Sequence, residues 1–141
     1  MFSVQDKNFS KLIEGTLSEY LGFELISKSI STPSAKFEIK PHHLAPNGFL
    51  HAASIIMLAD SLCGYGCIMN LPEGAQNFAT VELKSNHIGT ARHGIIECKA
   101  EAIHLGKNTQ IWDASVFSGD KRIAVFRCTQ MILWKKLDKI V

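Results

Sequence analysis

The sequence predicts an α+β chain in which an antiparallel sheet wraps around one long apolar helix. Three observations predict it. Between His51 and Met69 nearly every residue is apolar, small or weakly polar, and a helix apolar on all sides is normally buried on all sides. The stretches after it alternate apolar and polar residues with period two, and turn residues punctuate them. Strands grouped after helices, instead of alternating with them, favour an antiparallel sheet. With 141 residues and a hydrophobic fraction of 46%, one domain over residues 1–141 is expected.

Taken in order, Asp6 to Leu21 reads as an amphipathic helix. Phe9, Leu12, Ile13, Thr16, Leu17 and Tyr20 keep the helical period, with Lys7, Lys11, Glu14 and Glu19 outside. Asp6 is a candidate cap and Gly22 a candidate terminator. This helix is expected to pack one face on the sheet. Two strand-like runs follow, Phe23 to Lys28 and Ala35 to Lys40, separated by the turn cluster Ser31-Thr32-Pro33-Ser34. Pro41 to Pro46 is a loop carrying His42 and His43. The central helix starts near His51 to Ser54 and ends before the breaker cluster Leu71-Pro72-Glu73-Gly74. Four strands come next: Phe78 to Lys84, His93 to Leu105, Thr109 to Phe117, and Ile123 to Leu133. The breaks between them are Gly89 to Arg92, Gly106-Lys107-Asn108 and Ser118 to Lys121.

Several function classes are disfavoured. A net charge of +2 is too small to argue for nucleic acid. The amino end is polar and lacks an apolar leader. No stretch reaches the ~18 consecutive apolar residues of a membrane span. Four cysteines, Cys63, Cys67, Cys98 and Cys128, fit buried thiols in a reducing cytoplasm. Cys63 and Cys67 share a helix face, but no matching His or Cys pair lies nearby, so no metal is expected.

One charge, Asp60, interrupts the apolar helix. Carboxylates are almost never fully buried without a partner, so Asp60 is either paired or aimed at a cavity that uses its charge. The helix start is a second candidate. Its first N–H groups have no internal acceptor and carry the positive end of the dipole. Ala52 N–H and its neighbours therefore suit an anion, or an oxygen that becomes negative during a reaction. His51 and Asp60 lie roughly 13 Å apart along the helix at ~1.5 Å per residue. One site uses both only if a second chain brings its own helix alongside.

Gly48, His51 and Asp60 form a G-x-x-H-x-x-x-x-x-x-x-x-D pattern that includes Leu58-Ala59-Asp60, followed by Thr80-Val81-Glu82-Leu83-Lys84. With Gly106-Lys107 and the segment Ala124 to Gln130, this resembles the hotdog fold, and within it the phenylacetic-acid-degradation (PaaI-type) acyl-CoA thioesterases, over roughly residues 30–133. The resemblance implies hydrolysis of an acyl-CoA thioester, with coenzyme A as part of the substrate and no other cofactor. It implies that Ala52 N–H polarises the carbonyl, and that Asp60 from a partner helix acts as nucleophile or general base. Thr80 would assist water, and His51 would shape the pocket mouth or donate to the carbonyl. Gly48, Gly64, Arg92, Lys107 and Asn108 fall on the substrate and coenzyme A side, and a homodimer, further paired into a homotetramer, is expected. The chain departs from the family's His-Gly-Gly in reading His51-Ala52-Ala53. It has Ala45 where the family often has an amide, with Asn47 the candidate replacement. The alternative, given weight by Ala52-Ala53, is a non-catalytic acyl- or aromatic-CoA binding or assembly module of the same fold.

Overall fold

The computed structural model describes residues 8–135. Two single-turn helices, α1 (Phe9–Leu12) and α2 (Leu17–Tyr20), lead into strands β1 (Glu24–Ser27) and β2 (Ser34–Glu38). A 3₁₀ turn at Pro41–His43 precedes the long helix α3 (Ala52–Met69). Strands β3 (Ala75–His87), β4 (Ile95–Leu105), β5 (Thr109–Ser118) and β6 (Lys121–Trp134) complete the chain. All six strands form one antiparallel sheet in the order β1-β2-β4-β5-β6-β3. The last three strands are a simple meander, whereas β3 crosses to the far edge.

The amino-terminal helix departs from its predicted form. Gly15 adopts φ +72°, a backbone state that breaks the helix into two turns, and Thr16 Oγ1 donates to Ile13 O across the break. The break rotates the second turn, so Leu17 and Tyr20 are 64% and 70% exposed instead of facing inward. The segment also leans chiefly on α3. Phe9 sits edge-on to Tyr65 at 5.1 Å, and Ser18 Oγ lies 2.8 Å from Ser61 Oγ. Gly22 ends it as expected, at φ +79°, with its N–H donating to Glu19 O and Phe23 N–H to Ser18 O. Asp6, the candidate cap, lies outside the described residues.

Helix α3 lies in the concave face of the sheet, packed chiefly on β4 and β5. Leu58, Ala59, Leu62, Cys63 and Cys67 are fully enclosed. The inward sides of the strands supply their partners: Ile96, Cys98 and Ala100 from β4, Trp112, Ala114 and Val116 from β5. By length and a hydropathy of 1.6 this helix could cross a membrane, but 61% of it is buried inside the fold, as in a core helix. The architecture is the one the hotdog resemblance implies.

Helix and sheet approach closely at Gly66. A Cβ there would sit 2.6 Å from Trp112 Cη2, so only glycine lets the indole ring lie against the backbone. Trp112 Nε1 donates to Gln110 Oε1 at 2.9 Å, and Gln110 Nε2 to Asn70 O at 2.8 Å, tying the ring to the helix end. Gly66→Ala is expected to lower stability by about 1–3 kcal/mol, the usual cost of overpacking. A denaturation midpoint unchanged from the parent would show that the ring has room to move.

All four cysteines are buried. Burial pushes the Cys67 thiol up to about 12 and raises Cys98 further. Cys63 is raised by a hydrogen bond with Cys128 and by burial. Among the described residues, no group of three or more His, Cys, Asp or Glu is placed to hold a metal ion.

The two sheet edges differ. β1 has 4 residues and β3 has 13. Thr80, Leu83 and Ser85 stand opposite the buried Gln130, Cys128 and Phe126 and so share the inner face. Leu83 is nevertheless 41% exposed. Helix α3 packs chiefly on β4 and β5, and the inner face of β3 around Thr80 and Leu83 stays partly uncovered.

Candidate active site

The helix start is built by the loop before it. Asn47 Oδ1 accepts Phe49 N–H at 3.1 Å, and Gly48 turns the chain at φ +82° while donating to Ala45 O at 2.9 Å. Leu44 then bridges to Leu50. This turn delivers His51 to the N-cap, where Nδ1 accepts Ala53 N–H at 2.9 Å. That contact puts the proton of a neutral imidazole on Nε2. Ser54 N–H donates to His51 O at 3.0 Å. Among the described residues, none accepts from Ala52 N–H, so this exposed amide is the free donor of the first turn.

His43, which the sequence placed only in a loop, anchors this end of the fold. Its carbonyl accepts both His51 N–H and Ser54 Oγ at 2.9 Å. Its ring accepts Lys40 N–H on Nδ1 at 2.8 Å and donates from Nε2 to Leu21 O at 2.7 Å. The ring stacks on Phe37 at 4.5 Å, and burial lowers its pKa. The imidazole is thus a neutral bolt between the α2 end, the 3₁₀ turn and the start of α3. No local pattern signals this, because the ring's second partner, Leu21 O, lies 22 residues away.

Asp60 lies on the less buried stripe of α3 with Ala53 and Ile56, at the margin of the core. Its Oδ1 is buried and has no hydrogen-bond partner, and burial raises its pKa. A structural carboxylate would carry a partner here; among the described residues none of the ion pairs includes Asp60. Ala52 and Asp60 lie on one unbroken helix, about 12 Å apart at ~1.5 Å per residue. No single reacting carbon in one chain meets both.

Thr80, on the inner face of β3, donates from Oγ1 to Gln130 Oε1 at 2.7 Å. Gly64 packs under Phe78, where a Cβ would be 3.1 Å from Cζ. Arg92 lies beside the helix-start loop, its guanidinium 4.0 Å from the centre of the Phe49 ring, and Leu50 N–H bonds the adjacent Ala91 O. Lys107 and Asn108 stand elsewhere, in the turn after β4. Lys107 Nζ is 5.9 Å from the Trp134 ring, and Asn108 O accepts Ile132 N–H at 2.9 Å. Arg92 and Lys107 lie beyond opposite ends of β4, an 11-residue strand that spans up to about 33 Å at ~3.3 Å per residue, so one phosphate group cannot meet both within a chain.

The family model of the thioesterase superfamily matches residues 47–125, which hold the helix start, Asp60, Thr80 and Arg92. The chain is 27% identical over 121 residues to the 1,4-dihydroxy-2-naphthoyl-CoA hydrolase of Listeria monocytogenes, covering 85% of this chain and 98% of that protein. It is 27% identical over 113 residues to the Escherichia coli protein of the same name, covering 78% and 80%. In fold it is similar to a thioesterase from Haemophilus influenzae, with a TM-score of 0.86 at 22% identity over 99% of this chain and 96% of that one. A variant of a Staphylococcus aureus thioesterase superposes with a TM-score of 0.79 at 26% identity, over 83% and 98%.

Proposed function

The chain belongs to the thioesterase superfamily, and from that premise we propose that it hydrolyses an acyl-CoA thioester to the free acid and coenzyme A at a site shared by two chains. The observation that carries the proposal is the unpartnered Asp60 carboxylate on the flank of a helix whose first amide, Ala52 N–H, is free. The thioester carbonyl docks on Ala52 N–H, where the helix dipole and the aligned donor stabilise the oxyanion. His51 Nε2–H is a second donor at the pocket mouth. Asp60 of the facing chain attacks the carbonyl or takes a proton from water at Thr80. Oxygen-18 from water appearing in the enzyme carboxylate after one turnover selects attack; label confined to the product acid selects the base.

Asn47 takes the place of the amide missing at Ala45: its Oδ1 is occupied, which leaves its NH₂ as the donor. Gly48, with open space where a side chain would stand, leaves room for the substrate, and Gly64 lets the Phe78 ring lie against the helix as a wall of the acyl pocket. Arg92, Lys107 and Asn108 meet the coenzyme A end from opposite sides of the assembly. Each active site then draws on two chains, and the dimers pair into a tetramer. The phenylacetic-acid-degradation branch is part of this proposal, and so is an aromatic acyl group. The latter is supported by two relatives named for hydrolysis of a naphthoyl-CoA.

The test is thiol release from a panel of short, medium, long and aromatic acyl-CoAs. Turnover is expected, with kcat/KM highest for an aromatic acyl group. A raised melting temperature with acyl-CoA and no turnover on any thioester would instead identify a binding module, the reading that Ala52-Ala53 favours.

A further inference from the structure

We propose that Gln130 is a positioning residue that fixes which way the Thr80 hydroxyl points, and thereby the direction from which water attacks. This rests on the reading of Thr80 as the partner of that water and of Asp60 as its base. Gln130 lies on the inner face of β6, directly opposite Thr80 in the β3–β6 register, and is fully buried. Its Oε1 takes the Thr80 proton at 2.7 Å, and its Nε2 donates to Cys128 Sγ at 3.4 Å. The carboxamide is therefore held at both ends in a place where no solvent substitutes for either contact.

The consequence follows from the hydroxyl's inventory of one proton and two lone pairs. With its hydrogen engaged by Gln130, the exposed Thr80 offers Oγ1 to an arriving molecule only as an acceptor. A water arriving there must donate to it. The second water proton points to the Asp60 carboxylate, and a lone pair is left for the carbonyl carbon. A freely rotating hydroxyl could instead donate to the water oxygen, which would tie up one of its two lone pairs and lower its nucleophilicity. In the step itself the water oxygen bonds to the carbonyl carbon while one of its protons passes to Asp60. The tetrahedral intermediate collapses with cleavage of the C–S bond, and Asp60 returns the proton to the departing thiolate.

Two variants separate this role from packing. Gln130→Met keeps the length and removes the acceptor. Gln130→Glu keeps the shape, and when neutral, as burial favours, its C=O accepts from Thr80 while its O–H donates to Cys128. Gln130→Met is expected to lower kcat about tenfold with KM unchanged, the pattern of an interaction used in the transition state. Gln130→Glu is expected to stay within about threefold of the parent at pH values where the acid is neutral. In a Thr80→Ala background, Gln130→Met should cost nothing further, because Gln130 acts through Thr80. A parental kcat for Gln130→Met, or an equal loss with Thr80 already removed, overturns the proposal. Where Gln130→Met melts too low to assay, Gln130→Glu decides: a loss as large as that of Thr80→Ala overturns it. Thr80→Ala at parental turnover would instead remove Thr80 from the chemistry, a failure of the parent reading and distinguishable from failure at Gln130 alone.

Discussion

Asp60→Asn is expected to lower kcat by ~10²-fold or more, the scale of a lost general base, while the protein melts no lower than the parent at pH 7. The two effects have one cause. Asp60 Oδ1 is buried with no partner, so ionisation there is penalised and the pKa rises above the usual carboxylate value of 3.8. The native state then binds this proton more tightly than the unfolded state. Stability falls as pH climbs from 3.8 through the raised folded pKa, and above it the buried charge remains a fixed penalty. Asparagine keeps the size and removes both the penalty and the basicity. The acid limb of the kcat/KM profile should accordingly sit above the ordinary carboxylate range. Turnover retained by Asp60→Asn on the best substrate would return Asp60 to a structural role. Destabilisation at pH 7 would point the same way, because it would reveal a partner.

The second large effect is expected at β3. Val81→Asp should convert the assembly to monomers and reduce thioester turnover by ~10²-fold or more, the loss that follows when a base no longer meets the substrate. An edge strand of this length and exposure invites pairing, and this one carries Val81 at 56% exposure and, among the described residues, pairs with β6 alone. The opposite edge, β1, has 4 residues and offers little to pair with. A two-fold contact along β3 would set the uncovered inner face of each β3 near the other chain and bring Asp60 toward a partner helix start. An aspartate near that axis meets its own copy. Light scattering at micromolar concentration reads the association state beside the kinetics. Monomers with parental turnover would reject the shared site, and an intact dimer would reject β3 as the seam.

Much of this arrangement is legible in the sequence where local pattern decides. The run from His51 to Met69 has one plausible structure, and a single acid in it attracts notice, so α3 and Asp60 are found without coordinates. The strands follow from alternation, although β3 continues past Lys84 to His87, where the pairing with β6 and not the composition sets the limit. The amino-terminal helix fails because apolar spacing outweighed Gly15, whose positive φ the spacing does not register. The position of β3 beside β6 is set by how the sheet curls, and no neighbouring residue encodes it. His43 and Gln130 stay hidden for a related reason. Their decisive partners are Leu21 and Thr80, 22 and 50 residues away, and a loop histidine or a strand glutamine is unremarkable until those segments meet.

The four enclosed cysteines have a practical corollary. A thiol held at about 12, as Cys67 is, contributes almost no thiolate near neutral pH, and thiolate is the species that electrophiles trap. With all four thiols buried as well, a disulfide reagent present during turnover should record released coenzyme A against a flat protein baseline. The same silence makes the cysteines built-in reporters of opening. Whatever rate they label at in the native protein measures how often the helix and sheet part, and a variant such as Gly66→Ala should quicken that rate before any change shows in its folded spectrum.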